Sequence, residues 1–189
     1  MIKFNKANDK IAIIAPASGV NDASGFIDLK QSMNRLDMMA SLLQDEGFHC
    51  SYDSEIFNKD ISKSLGYFAS SRESRLRQLN NAISDPDIKI IWAFRGGYGS
   101  TEIVFDCLNK LPPHPSCKIL IGFSDITALH FLFNQHYKLP CIHGAMDASQ
   151  EGMIKQVISV LKGSTMKFDL TTLNDVNYEF DVSSQIVGG

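Results

Sequence analysis

Two glycine-bearing stretches carry residues able to do chemistry. The first is Gly122-Phe123-Ser124-Asp125-Ile126, preceded by the short apolar run Ile119-Leu120-Ile121 and followed by apolar residues at 126, 129, 132 and 133 with helical spacing. Strand, tight turn and helix in that order put the Ser124 hydroxyl at the carboxyl end of a buried strand, facing the free amides of a helix start. Such amides can hold an oxyanion. The G-x-S-x-G nucleophile elbow has this form, with Ile126 standing where its second glycine would be. The same residues also admit a plainer role, in which Ser124 N-caps the helix and satisfies one orphan amide.

The second stretch is Arg95-Gly96-Gly97-Tyr98-Gly99-Ser100, which comes after the apolar run Ile88 to Phe94. Three glycines in four positions let backbone amides approach a ligand and take positive φ cheaply, although a tight turn into a helix near Ser100 needs no more than the same residues. No Lys-Ser/Thr pair comes next, so it is not the phosphate loop, and the spacing is not G-x-G-x-x-G. Arg95 is suited to clamp a substrate carboxylate or to pair with a surface acid. Ser18, in the loop Pro16-Ala17-Ser18-Gly19 after a first apolar run, is a third candidate contact that turn chemistry also explains. His130 stands six residues after Ser124 on the same predicted helix, about 9 Å along its axis, too far to hydrogen-bond to it. His143, at the end of another short apolar run, is placed to shape the pocket, cap a turn or act as a base.

The elements that position these residues alternate along the chain. Ile11 to Ala15, Phe48 to Tyr52, Ile88 to Phe94, Lys118 to Ile121 and Leu139 to Gly144 read as short strands. Between them, apolar spacing predicts helices over 28–46, behind the Ser70-Ser71-Arg72-Glu73 capping box to Asp85-Pro86, from Ser100, and after Ser124; a last helix spans Ile154 to Leu161. The alternation predicts an α/β fold, a parallel sheet flanked by helices on both faces with right-handed crossovers. Residues 166–170 and 178–182 read as strands of another kind. The expected division is therefore an N-terminal domain over 1–150, with a linker and the β-rich start of a second domain over 151–189.

With 18 Lys and Arg against 21 Asp and Glu, the chain lacks the basic excess of nucleic-acid binders. No apolar run is long enough to cross a bilayer and no signal-peptide core comes after Met1, so the expected location is cytoplasmic, without a membrane partner. Cysteines 50, 107, 117 and 141 form no C-x-x-C pair and read as reduced core thiols. Histidines 49, 114, 130, 136 and 143 lack ligand spacing, so neither a metal nor a cofactor is expected.

Taken in order, Ala12-Ile13-Ile14-Ala15-Pro16-Ala17-Ser18, Phe94-Arg95-Gly96-Gly97-Tyr98-Gly99, Ile121-Gly122-Phe123-Ser124-Asp125-Ile126-Thr127-Ala128-Leu129 and His143-Gly144 make the chain resemble the LD-carboxypeptidase family. That family includes muramoyltetrapeptide carboxypeptidases and microcin C immunity peptidases. The resemblance implies a flavodoxin-like N-terminal domain with Ser124 as nucleophile. It implies an oxyanion hole from the backbone amides of Asp125 and Gly97, with Arg95, Gly96, Tyr98 and Ser18 contacting a small peptide substrate. It further implies removal of the terminal D-alanine from murein tetrapeptide in cell-wall recycling, and a homodimer in the full-length protein. An immunity-type peptidase or amidase, or an anion-binding module without catalysis, is the alternative. The family's triad is Ser-Glu-His, and its Glu and His are expected beyond residue 189, which would leave these residues alone inactive. Ala145 departs from the proline that often comes after His-Gly in the family.

Overall fold

A computed structural model describes residues 9–58, 66–110 and 117–164. Five strands, β1 (Lys10–Ile14), β2 (His49–Ser51), β3 (Ile88–Ala93), β4 (Ile119–Gly122) and β5 (Cys141–His143), form one sheet in the order β2-β1-β3-β4-β5. Every pairing is parallel. A parallel sheet needs cover on both faces, which is why β1, β3 and β4 read as unbroken apolar runs without alternation.

The pleat nevertheless sorts those runs. Ile11, Ile13, Ile90, Trp92 and Ile121 pack against helices α1 (Leu29–Asp45) and α5 (Glu151–Leu161) through Leu36, Met39, Leu43, Ile154 and Ile158. Ala12, Ile14, Ile91, Ala93 and Leu120 face the other way, onto α2 (Arg72–Ser84), α3 (Ser100–Lys110) and α4 (Thr127–Phe131), with Leu76, Leu79, Ile103 and Leu129 filling that layer. The strand order reverses between β1 and β3, and at such a switch point the loops leaving the carboxyl ends part and open a crevice. The candidate stretches at Ser18, Arg95 to Gly99 and Ser124 are those that leave β1, β3 and β4.

The α/β architecture and both helix layers agree with the sequence reading; several local details differ. The cap of α2 is Ser71, whose side chain accepts from the Ser74 amide, not Ser70 three residues before Glu73. Ser70 is drawn inward instead: it is fully buried and its carbonyl accepts from Arg75. The helix after Ser124 is three short pieces, a 3-10 turn (Ser124–Ile126), α4, and a π-turn (Leu132–His136) closed by the Tyr137 amide on the Leu132 carbonyl. Of the four free cysteines only Cys107 is buried, and Cys117 is exposed, so the expectation of core thiols holds for one of them. Helix α5 adds Ile154, Val157 and Ile158 to the core layer that α1 covers. The strands expected at 166–170 and 178–182 fall outside the described residues. Among the described residues no helix is long and apolar enough to cross a membrane, and no three His, Cys, Asp or Glu side chains gather as a metal site.

Candidate active site

Ser124 is exposed and sits at φ 59°, in the left-handed region that residues with a Cβ rarely adopt. Its hydroxyl caps nothing: the residue preceding the 3-10 turn is Phe123, with no side-chain cap, and Ser124 Oγ has no hydrogen-bond partner among the described residues. The bend is made possible by Gly122. A Cβ there would stand 2.8 Å from Ile126 Cγ2 and 3.1 Å from Ala93 Cβ. Ile126, which replaces the second elbow glycine, thus packs into the space that the first leaves empty.

The diglycine turn lies against this bend. A Cβ on Gly96 would come within 3.2 Å of Ser124 Cβ and 3.4 Å of the Asp125 nitrogen. Gly97 takes φ 99°, and a Cβ on it would meet Ser18 Oγ at 2.2 Å and the Tyr67 hydroxyl at 2.9 Å. Only glycine fits there, for reasons of both φ and space. Asp125 is the second residue of the 3-10 turn, and the first amides of a helical turn have no intrahelical acceptor.

Three sets of contacts fix the rim loops to one another. Asp125 Oδ2 accepts from the Ser100 amide at 2.8 Å, and Ser100 Oγ donates to the Asp125 carbonyl, so the start of α3 is latched to the residue after the serine. Ser18 is 1 % exposed; its hydroxyl donates to the Gly96 carbonyl at 2.6 Å and its amide to the same oxygen at 3.1 Å. That geometry makes Ser18 a support of the turn rather than a surface contact. Arg75 is the third. Its buried guanidinium donates to the carbonyls of Ser70 (3.2 Å), Pro16 (3.0 Å) and Gly99 (2.7 Å), pairs with Glu102, and lies 4.5 Å from the centre of the Phe68 ring. It clips the loops after β1 and β3 from behind.

No sequence motif singles out Arg75, although a signal is there: it occupies the apolar stripe of α2 with Leu79 and Ala82, where a cation is buried only with partners. Arg95 is half-exposed, with Nη1 3.6 Å from Asp147 Oδ2. Tyr98 is 71 % exposed. Tyr67, not singled out from the sequence, brings its hydroxyl to Gly97.

The histidines group with one another. His143, paired in register with Gly122, has its ring 5.8 Å from Phe123 and 6.1 Å from His130. Neither ring is hydrogen-bonded to Ser124 among the described residues. His130 Nε2 is buried without a partner, and burial first, then the nearby His143, pushes its pKa down to about 4. The loop after β5 is held by Trp92 Nε1, which donates to the Ala145 carbonyl at 2.7 Å.

An exposed serine at positive φ on the turn after β4, with a diglycine turn packed against it, lies on the rim where open α/β sheets bind their ligands. Residues 11–144 match the model of the LD-carboxypeptidase N-terminal domain, and the chain belongs to that family. A putative carboxypeptidase of Rickettsia conorii is 33 % identical over 96 % of this chain and 55 % of its own length. The murein tetrapeptide carboxypeptidase of Pseudomonas aeruginosa is 34 % identical over 71 % of this chain and 38 % of its own. The crystal structure of a muramoyltetrapeptide carboxypeptidase from Oxalobacter formigenes superposes with a TM-score of 0.51 at 28 % identity, covering 72 % of this chain and 40 % of that one. The chain thus spans about half the length of the curated relatives it matches.

Proposed function

We propose that this chain carries the nucleophile half of a serine LD-carboxypeptidase that removes the terminal D-alanine from murein tetrapeptide in the cytoplasm, during cell-wall recycling. The observation that supports it most is the exposed Ser124 at positive φ with Gly96 packed against it. In this reading Ser124 Oγ attacks the carbonyl that joins the L-centre to D-alanine. The amides of Asp125 and Gly97 receive the developing negative oxygen, each such donor typically contributing about 3 to 4 kcal/mol of barrier lowering. A serine hydroxyl needs an adjacent base at neutral pH. His143 engages His130 and Phe123 and neither histidine bonds to Ser124, so the reading takes the base and its glutamate from the portion of the family's length that this chain does not span. That portion would form a second domain after α5, and the full protein would be a homodimer.

The test pairs a serine-directed fluorophosphonate with a D-alanine release assay, both on the full natural protein. Labelling and release that vanish together in Ser124→Ala are the expected result. Labelling at another serine, or D-alanine release that survives the substitution, would sink the assignment. The 189-residue chain by itself should release D-alanine at least about a hundredfold more slowly, the usual contribution of a missing general base.

A further inference from the structure

A carboxypeptidase differs from an endopeptidase in reading the end of its substrate, and that end is a carboxylate. The carboxylate carbon lies one residue beyond the scissile carbonyl, within about 4 Å. A cation is therefore needed beside the serine, with hydrogen-bond donors that the protein itself does not use. Arg75 fails this requirement, because its donors are spent on Ser70, Pro16, Gly99 and Glu102.

Arg95 meets it. It directly precedes Gly96, whose Cβ position is 3.2 Å from Ser124 Cβ. Its side chain is 38 % exposed and is held only by charge, 3.6 Å from Asp147 Oδ2, with no hydrogen bond to any described residue. The same oxygen accepts from Arg35 Nη1 of α1 at 3.3 Å. The other oxygen, Oδ1, accepts from the Ser149 amide at 2.8 Å and from the Ser149 hydroxyl. Asp147 is 4 % exposed, with Oδ1 engaged by Ser149 and Oδ2 shared by the two arginines. Two guanidiniums on one carboxylate oxygen leave one positive charge in excess. They also leave most of the ten N–H donors of the pair unfilled, in a fork geometry that matches a carboxylate.

We propose that Arg95 and Arg35, tethered by Asp147, recognise the terminal carboxylate of the substrate and so make this site read a peptide end. Arg95 donates the direct hydrogen bonds; Arg35 supplies the second charge; Asp147 is the counter-ion that keeps both in place between turnovers. This rests on the peptidase reading above and adds the determinant of its exo-specificity. Neither Arg35 nor Asp147 is visible as a site residue from sequence, because they stand 60 residues before and 52 after Arg95 and meet only where α1 and the β5 loop converge.

The test is binding of two murein tetrapeptides, one ending in D-alanine and one in D-alanine amide, to the full natural protein carrying Ser124→Ala so that neither is consumed. The acid should bind at least about tenfold tighter than the amide. In Arg95→Gln the two should fall within about twofold of each other, Arg35→Gln should narrow the gap, and Arg95→Lys should keep part of it. Acid and amide that bind alike in the parent, or a gap that survives Arg95→Gln, overturn the proposal while leaving the peptidase reading intact. Binding of neither peptide overturns both. Acid-ended peptides that bind through Arg95 in a protein that releases no D-alanine would support this site and defeat the tetrapeptide assignment.

Discussion

At the scale of single residues, the site depends on positions where one atom more would not fit. Gly97 is the sharpest case, since both its φ of 99° and the 2.2 Å to Ser18 Oγ exclude a Cβ. Gly97→Ala has to move Ser18, and Ser18 holds the Gly96 carbonyl that orients the turn. The expected outcome is a loss of about 1 to 3 kcal/mol in stability. On the proposed peptidase reading, with Gly97 as an oxyanion donor, D-alanine release should fall about a hundredfold or more. Urea unfolding and steady-state kinetics on the same preparation separate the two. Full activity in a destabilised Gly97→Ala protein would mean that this turn does not face the reacting carbonyl.

At the scale of elements, the rim is three loops leaving adjacent parallel strands, and pairing holds the carboxyl ends of such strands while leaving their loops free to splay. Arg75 restrains the β1 and β3 loops, and Ser100 with Asp125 restrains the β3 and β4 loops. Arg75→Met keeps the length of the side chain but strands three carbonyls and Glu102. It should cost about 3 kcal/mol or more in urea unfolding, because three carbonyls lose their donor while Glu102, 45 % exposed, returns to water. Arg75→Lys cannot reproduce the planar fork and should recover only part of that loss. A change below about 0.5 kcal/mol in Arg75→Met would show the clip to be dispensable.

At the scale of the whole molecule, two core layers sandwich the sheet, and α4 buries one imidazole whose Nε2 has no hydrogen-bond partner among the described residues. His130 has its pKa pushed down to about 4 from 6.5, so between those values the unfolded chain binds a proton that the native state refuses. Stability therefore rises with pH through this window and is lost as pH falls from 6.5 towards 4, by at most about 1.4 kcal/mol per pH unit from this group. Above 6.5 the contribution is constant. His130→Phe should flatten that part of the curve, read as urea midpoints at about pH 7, 6 and 5. Parallel curves for the two proteins would place the acid sensitivity elsewhere.

The sequence by itself determined the layer order and the identity of the rim. Short apolar runs alternating with helical stripes leave few foldings other than a covered parallel sheet, and glycines at 96, 97 and 122 mark bends because no other residue tolerates them. The shift of the α2 cap from Ser70 to Ser71 and the π-turn at Leu132–His136 were not legible, since each is set by the packing behind the segment and not by the segment's own propensity. The tertiary structure alone decided which polar groups meet. Ser18 braces Gly96, Arg75 clips two loops, and Arg35 shares Asp147 with Arg95, across separations of 78, 59 and 112 residues for Ser18 to Gly96, Arg75 to Pro16 and Arg35 to Asp147. Hydrophobic periodicity carries local information along the chain, whereas a hydrogen bond between distant loops leaves no pattern in either partner's neighbours.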